Sequence, residues 1–311
     1  GVTYVVSMIL MLLVKYSPLG VEVNGARRWL AIIPGTPLQF QPSELAKIAA
    51  ITFIPCLIIK MGKNVKTLRG SVFLLCIGAL LALGAFLLTE NLSTGIIIGA
   101  ITVIMIFIAH PKTRPFLIIG GVLAVLVIVG RIVLQEALKD VVIDTENLNS
   151  FRLSRILVWL NPEQYSSAGG YQIMQALYAI GSGGFFGKGL GNSVQKLGPV
   201  PEAQNDMIFS IVCEELGVFG GLVVLILFGY LLYRLFFIAQ NAPDFYGSLV
   251  VGGIMIHIAL QVILNICVVL NWIPTTGITL PFISYGGTSI LFLMLEMAIA
   301  LSVSRQIKFT E

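Results

Sequence analysis

Charged residues are scarce in this chain. They make up 11% of its 311 residues, against roughly 25% in a typical soluble domain. Hydrophobic residues make up 57%, and the mean hydropathy is +0.95. This balance excludes a soluble globular protein and predicts a polytopic membrane protein. The net charge of +4 is small and its basic residues are scattered through loops, so a nucleic-acid partner is not expected.

Cysteine is also rare, and its four positions show no spacing typical of a metal site. All four lie within apolar runs and are interpreted as small buried hydrophobic residues: Cys56, Cys76, Cys213 and Cys267. The start of the chain lacks the basic segment and the small-residue cleavage site of a signal peptide. Because the first residue is Gly1, we expect the sequence to begin part-way into a longer protein.

Long apolar stretches, in contrast, are abundant. About eight are long enough to cross roughly 30 Å of hydrocarbon. Helices are expected, because a backbone in lipid must satisfy its own hydrogen bonds and strand-like alternation is absent. The predicted fold class is all-α, a single transmembrane domain over residues 1–311 with a large outer loop at 135–207. The spans are expected near residues 2–19, 44–61, 71–89, 93–110, 115–134, 208–233, 246–270 and 284–303.

Short basic loops predict the orientation. Lysines and arginines crowd the connections near residues 60–69 and 112–114 and the C-terminal end near 305–308. Successive spans place all three groups on one side, which the positive-inside rule makes cytoplasmic. The segments that then face outwards are 20–43, 135–207 and 271–283.

Part of the long outer segment has helical periodicity. Arg152, Arg155 and Trp159 recur at helical spacing. The spacing is typical of a helix in the headgroup plane with its arginines towards phosphates, and equally of an ordinary loop helix with solvated arginines.

A glycine-rich run follows at residues 181–191. It lacks the pattern of a nucleotide-binding loop, because no glycine stands five residues before Gly187 and no Ser or Thr follows Lys188. Its glycines are expected to permit tight turns and close backbone approach. Lys188 is a candidate for contact with a phosphate.

Asp206 is a carboxylate in an uncharged stretch, where a polar loop gives way to an apolar helix. From the residues alone, it is either a catalytic base or a helix N-cap. Glu214 and Glu215 lie about two turns further along the helix. They could tune the base or be solvated at the end of the helix.

Other ionisable residues lie inside predicted spans. Glu44 and Lys47 are three residues apart on one helix, so they can form an ion pair, for which a structural role is favoured. Glu296 and His257 lie deep in the last two spans, where a hydrogen-bonded partner is expected.

Five motifs, in order along the chain, resemble signatures of the SEDS family (shape, elongation, division and sporulation proteins). Together they are far more specific than any one alone. They are Asn24-Gly25-Ala26-Arg27-Arg28-Trp29; Gln41-Pro42-Ser43-Glu44-Leu45-Ala46-Lys47; Gly181-Ser182-Gly183-Gly184; Pro201-Glu202-Ala203-Gln204-Asn205-Asp206 with Glu214-Glu215-Leu216-Gly217; and the run from Pro274 to Ser289. The last run and Trp159-Leu160-Asn161-Pro162-Glu163 resemble the division branch (FtsW) more than the elongation branch (RodA). Family members have about ten spans, so two are expected before Gly1.

The resemblance implies a peptidoglycan glycosyltransferase that polymerises lipid II on the outer face of the bacterial cytoplasmic membrane, for cell division or cell shape. It implies that Asp206 is the catalytic base. Since a lipid pyrophosphate is already a good leaving group, one carboxylate base with cations for the developing charge would suffice for an inverting transfer. The residues expected to bind substrate are Arg152, Arg155, Lys188, Glu44, Lys47, Arg27, Arg28, Ser284 and Tyr285.

No organic cofactor is expected, whereas a divalent cation such as Mg²⁺ or Mn²⁺ could share the neutralising role. The implied partners are lipid II, a class B penicillin-binding protein and other proteins of the division or elongation machinery. The alternative function is a flippase for the same lipid-linked precursor. A flippase should line a route across the bilayer with charges in the middle of several helices, whereas the charges here cluster in the outer segment. A purely structural scaffold would not require Asp206.

Overall fold

The computed structural model describes residues 1–23, 25–33, 39–110, 114–137, 151–166, 169–198, 200–201 and 203–308. Helices dominate, as the composition predicts. The helices among these residues are α1 (Val2–Tyr16), α2 (Pro42–Met61), α3 (Leu68–Leu88), α4 (Leu92–Ala109), α5 (Arg114–Ala137), α6 (Phe151–Leu160), α7 (Gly170–Gly183), α8 (Ile208–Gln240), α9 (Phe245–Val269) and α10 (Gly287–Ser304).

Seven helical segments in the described part of the chain are long and apolar enough to cross a membrane. They contain α2, α3, α4, α5, α8, α9 and α10. The first predicted span, near residues 2–19, corresponds to α1, a shorter apolar helix of 15 residues. The prediction of a helical, polytopic membrane protein is therefore confirmed.

A small antiparallel sheet departs from the all-α prediction. Its strands pair in the order β1 (Gly20–Val23), β2 (Ala26–Ala31) and β3 (Gln39–Phe40). Val21 lies opposite Trp29 in the first pair. Gly25, in the turn between β1 and β2, has a φ of 72°, a left-handed conformation that glycine adopts without strain. Asn-Gly is a strong hairpin signal, so the sequence did carry a sign of this sheet.

The chain divides into two compact units. The first comprises Gly1–Pro111, Phe228–Val262 and Tyr285–Glu311, and the second comprises Lys112–Leu227 and Ile263–Ser284. In the first unit α3 packs against α4, and α2 lies against α1, α3, α4 and α10. Its fully buried apolar side chains include Ile51, Leu81, Ile98, Ile101 and Met105.

Short sequence signals set the beginnings of several helices. Pro42 occupies the first turn of α2, where the missing N–H costs nothing. The Thr67 hydroxyl accepts a hydrogen bond from the Gly70 amide at 3.2 Å ahead of α3. The Asn91 side chain accepts from the Thr94 amide at 3.0 Å ahead of α4. These caps satisfy amides that the helices leave without intrahelical partners.

Candidate active site around Asp206

Asp206 lies in the turn that leads into α8, where it is half-buried. Gln172, on α7, donates from Nε2 to the Asp206 Oδ1 at 3.4 Å. The Asp206 backbone carbonyl accepts a shorter bond, 2.7 Å, from the Asn265 side chain on α9. Since α8 begins at Ile208, the N-cap position is Met207, and Asp206 stands one residue before it.

A hydrogen-bonded network joins this turn to the segment 270–284, which follows α9. The Asn265 Nδ2 also donates to the Ile278 carbonyl at 2.8 Å. On α6, Arg155 donates from Nη1 to the Thr275 carbonyl at 3.2 Å. The predicted base, one predicted cation and part of the last sequence motif are therefore connected within the second unit.

The other predicted cation on α6 is Arg152, whose backbone belongs to that helix. Its side chain lies outside the described part of the structure, so its role stays a prediction. Arg131, on α5, was not singled out from the sequence. Its guanidinium carbon lies 5.0 Å from the centre of the Trp159 ring, and its Nη1 donates to the Trp272 carbonyl at 3.4 Å. A lone arginine near the end of an apolar run could have signalled this position.

The glycine-rich run packs against a break in α8. Gly217 has φ 72° and ψ −174°, which interrupts the helix. A broken helix leaves backbone groups without intrahelical partners, and a membrane offers none. Four backbone hydrogen bonds to the glycine-rich run satisfy them: Lys188 N to Glu214 O, 2.9 Å; Gly189 N to Glu215 O, 2.9 Å; Val218 N to Gly184 O, 3.0 Å; and Phe219 N to Phe185 O, 3.1 Å.

The close backbone approach explains why glycine occupies this region. A Cβ atom at Gly183, Gly187 or Gly217 would overlap backbone atoms of the facing segment. Larger residues would therefore push the run away from α8. The prediction that these glycines allow close backbone contact is confirmed.

The side chains of Glu214 and Glu215 bind residues of the same run and of the segment directly after it, up to Lys196. Glu214 is 0% exposed; it forms an ion pair with Lys188 at 2.7 Å and accepts from the Ser193 hydroxyl. Glu215 pairs with Lys196 at 2.5 Å and accepts from the Gly191 amide at 3.1 Å. Solvation at a helix end, one of the two expectations for these acids, does not describe them.

Lys188 pairs with one of these acids. Its ammonium lies 2.7 Å from the buried Glu214 carboxylate, and a buried carboxylate without a counter-charge is costly. The Lys188 side chain is still 34% exposed, and its contact with a substrate phosphate stays a prediction.

The predicted Glu44–Lys47 ion pair and a hydrogen-bonded partner for Glu296 are both found in the first unit. Lys47 Nζ lies 2.9 Å from Glu44 Oε2, and both residues are buried. His257 Nδ1 lies 2.8 Å from Glu296 Oε2, again between buried side chains. The expectation that each acid has a partner is confirmed. Substrate binding by Glu44 and Lys47 stays a prediction.

The arginines of β2 have different environments. The Arg27 guanidinium donates to three backbone carbonyls around the end of α1, those of Lys15, Ser17 and Gly20, which is a structural arrangement. Arg28 is half-buried. Burial lowers the pKa of its guanidinium, and the negative charge of Glu90 partly opposes this.

The two neighbouring residues of the last motif also differ. The Ser284 hydroxyl accepts from the Leu280 amide at 2.7 Å and is buried, so it stabilises a turn. Tyr285 is 74% exposed. Ser284 belongs to the second unit with Asp206, Arg155 and Lys188, whereas Tyr285 belongs to the first with Arg27, Arg28, Glu44 and Lys47.

No group of three or more His, Cys, Asp and Glu side chains is arranged to hold a metal ion among the residues that the structure describes. The expected divalent cation stays a prediction.

The membrane-spanning helices define a polytopic membrane protein. Asp206, which accepts hydrogen bonds from the amide side chains of Gln172 and Asn265, is its candidate catalytic carboxylate. The family model for FtsW, RodA and SpoVE, described as cell cycle proteins, matches residues 1–309. The chain belongs to this family, the SEDS family. The resemblance seen in its motifs is confirmed.

Individual relatives agree with this assignment. Stage V sporulation protein E of Bacillus subtilis is 38% identical over 308 residues, covering 98% of this chain and 78% of the relative. The probable peptidoglycan glycosyltransferase FtsW of Trichlorobacter lovleyi is 37% identical over 303 residues, covering 97% and 75%.

Solved structures share the fold. A chain from a peptidoglycan synthase complex, described as coordinating polymerisation and crosslinking, superposes with a TM-score of 0.73 at 27% identity, covering 97% of this chain and 80% of that chain. The crystal structure of Thermus thermophilus RodA gives a TM-score of 0.61 at 27% identity, covering 99% and 78%.

Proposed function

We propose that this protein is a peptidoglycan glycosyltransferase that polymerises lipid II on the outer face of the cytoplasmic membrane, with Asp206 as its catalytic base. Membership of the SEDS family supports the activity. The observation that carries the assignment of the base is the half-buried Asp206 carboxylate, held through its own backbone in a network that reaches Arg155. A group so fixed meets the positional demand on a general base.

The proposed reaction has one proton to move. The hydroxyl oxygen of the acceptor sugar forms a bond to the anomeric carbon of the donor, while the bond from that carbon to the lipid pyrophosphate breaks. Asp206 takes the hydroxyl proton, and the pyrophosphate departs with the bonding electrons. Attack from the side opposite the leaving group inverts the anomeric carbon. General-base catalysis of this kind typically contributes about 10²–10⁴-fold in rate.

The departing pyrophosphate needs positive charge nearby. Guanidinium groups bind phosphate oxygens in a planar, bidentate manner, so Arg155 and Arg152 on α6 are the proposed contacts. Arg131 can add positive charge from α5. A bound divalent cation would supply positive charge for the same role.

The orientation and the partner follow from the same proposal. The positive-inside pattern of the loops supports an active site outside the cytoplasm. New glycan strands need crosslinking, so a class B penicillin-binding protein is the proposed companion. The similarity to a chain from a synthase complex that couples polymerisation and crosslinking supports it.

The alternative function is translocation of the same lipid-linked precursor. The observation in its favour is the presence of the Glu44–Lys47 and His257–Glu296 pairs within membrane-spanning helices of the first unit, since intramembrane charges often mark transport routes. These acids are already paired, which also suits a structural role.

The test is lipid II polymerisation by the purified protein with its penicillin-binding partner, comparing wild type with Asp206→Asn. The substitution preserves size and removes the base, so glycan synthesis should fall by about 10²–10⁴-fold. Asp244→Asn is the matched control: this exposed aspartate accepts from the Gly247 amide at 3.3 Å, a bond that asparagine can also accept. It should polymerise at the wild-type rate.

The alternative outcomes separate the proposals. If Asp206→Asn polymerises like wild type, Asp206 is not the base. If wild type fails to polymerise even with its partner but moves lipid II across vesicle membranes, the flippase function replaces the polymerase.

A further inference from the structure

Asn265 is an amide buried in an otherwise apolar part of α9. Its side chain is 0% exposed, and burying an amide in a membrane-spanning helix is costly unless it forms hydrogen bonds. Both hydrogens of its Nδ2 are used, one on the Asp206 carbonyl at 2.7 Å and one on the Ile278 carbonyl at 2.8 Å. Because both partners can only accept, the NH₂ end of the amide must face them.

The two acceptors come from distant parts of the chain. The Asp206 carbonyl lies just ahead of α8, and the Ile278 carbonyl lies in the segment 270–284. Neither belongs to a helix, so neither has an intrahelical donor. One NH₂ group therefore ties three segments together, and no other side chain in the described residues bonds to both carbonyls.

The far side of the segment 270–284 is tied to α6. Arg155 donates to the Thr275 carbonyl at 3.2 Å, and Asn271 donates from Nδ2 to the Trp159 carbonyl at 3.3 Å. Asn265 therefore belongs to a hydrogen-bonded connection from the proposed base, through the segment 270–284, to the proposed phosphate-binding helix.

We infer that Asn265 is a positioning residue, which fixes the backbone of Asp206 relative to the segment 270–284 and hence relative to Arg155. Asn265 acts through Asp206 and does not contact the reacting atoms. This inference rests on the proposed role of Asp206 as the base. An error of about 1 Å in the position of a catalytic group can cost about 100-fold in rate, so a single buried amide can control the reaction.

Asn265→Leu is the main test variant, because leucine has nearly the same size and no donor. With the purified protein and its penicillin-binding partner, we expect kcat for lipid II polymerisation to fall about 10–100-fold while KM changes less than about twofold. Asn265→Ser keeps one donor on a shorter side chain and should lose less. If Asn265→Leu does not fold, the kcat of the serine variant decides, and a wild-type kcat there overturns the inference.

Gln261→Leu is the matched control. Gln261 is a buried amide one turn earlier on α9, and none of its hydrogen bonds in the described structure reaches Asp206. Its loss should leave kcat within about twofold of wild type. An equal fall in both variants would mean that α9 needs buried amides for folding alone, and the inference would be wrong.

A double substitution separates positioning from a general structural effect. Asp206→Glu keeps a base but displaces its carboxylate, so it should retain a measurable rate. If Asn265 acts through Asp206, adding Asn265→Leu to Asp206→Glu should slow the reaction much less than Asn265→Leu slows the wild type. Independent effects, in which the two rate losses multiply, would overturn the inference.

The failure of this inference can be told from the failure of the proposed function. If Asp206→Asn abolishes polymerisation while folded Asn265→Leu is fully active, Asp206 remains the base and Asn265 does not position it. If Asp206→Asn is fully active, the role of Asp206 fails, and the role of Asn265 fails with it.

Discussion

Two neighbouring regions of the second unit bind acidic side chains differently. In the first region, residues 183–197 pack against α8 and are called the docked run. There the carboxylates of Glu214 and Glu215 on α8 accept hydrogen bonds from ammonium, hydroxyl and backbone donors. In the Asp206 turn, the shortest of the bonds described above goes to the backbone carbonyl, and the carboxylate accepts a longer bond from Gln172. Asp206 and Glu214 are separated by only about two helical turns of sequence.

The difference separates an acid that holds structure from an acid suited to chemistry. A carboxylate with several short, charge-assisted bonds is stabilised in its charged form and contributes to folding. A half-buried carboxylate fixed through its backbone keeps access to a reacting proton. Substitutions in the docked run should therefore lower the melting temperature of the protein. Substitutions in the Asp206 turn should instead lower kcat for polymerisation.

The largest expected effect is on the docked run, from Gly217→Ala. The φ of 72° with ψ of −174° is essentially confined to glycine and costs other residues about 1–3 kcal/mol. The new Cβ would also overlap backbone atoms of Phe185 and Gly187. The four backbone hydrogen bonds between the two segments would then break, at a cost of roughly 1 kcal/mol each. Thermal unfolding in detergent should show a large fall in melting temperature.

Gly229→Ala is the control for this change. Gly229 lies on the same helix, and a Cβ there meets no atom within 4 Å. Alanine favours a helix by about 1 kcal/mol over glycine, so stability should stay the same or rise. If the two variants have the same melting temperature, the contact between the docked run and α8 contributes little to the stability of the protein.

The next effect, also on stability, is expected from Glu214→Leu. Removing one partner of a buried ion pair typically costs about 3–5 kcal/mol, and the lower end applies because Lys188 is 34% exposed and can be hydrated. Adding Lys188→Met should recover part of the loss, since an apolar pair leaves no buried charge. Melting temperatures of the single and double variants measure this, and a further fall in the double variant would contradict it.

The helical architecture could be predicted from the sequence because apolar length alone decides it. Asp206 was identified as the candidate base from its motif and its uncharged surroundings, and its catalytic role stays a prediction. The hairpin of β1 and β2 was not predicted, although Asn24-Gly25 is a turn signal. The prediction of secondary structure rested on long apolar stretches, and these strands lie between two of them.

The partners in the site could not be predicted, because they depend on contacts between distant segments. Glu214 meets Lys188 from 26 residues away, and Asn265 meets Asp206 from 59 residues away. The sequence shows the charge of Lys188 but not its counter-charge, so the ion pair with Glu214 could not be predicted. Asn265 carried one signal, an amide within an apolar run, which predicts a hydrogen-bonded partner but cannot name it.

The smallest expected effect belongs to the Asp206 turn. Gln172→Leu removes the donor to Oδ1 and a second bond, at 3.1 Å, to the Pro201 carbonyl. Without this donor the carboxylate is less precisely positioned, so kcat should fall about tenfold. The bond to the carboxylate is long, 3.4 Å, so the melting temperature should fall much less than in Gly217→Ala or Glu214→Leu. Gln175→Leu, on the same helix and also half-buried, controls for the loss of a glutamine. Equal kcat values for the two variants would show that Gln172 does not act on Asp206. A lower melting temperature with an unchanged kcat, seen for Gln172→Leu alone, would show that the Asp206 turn contributes to stability as the docked run does, and the contrast between the two regions would be lost.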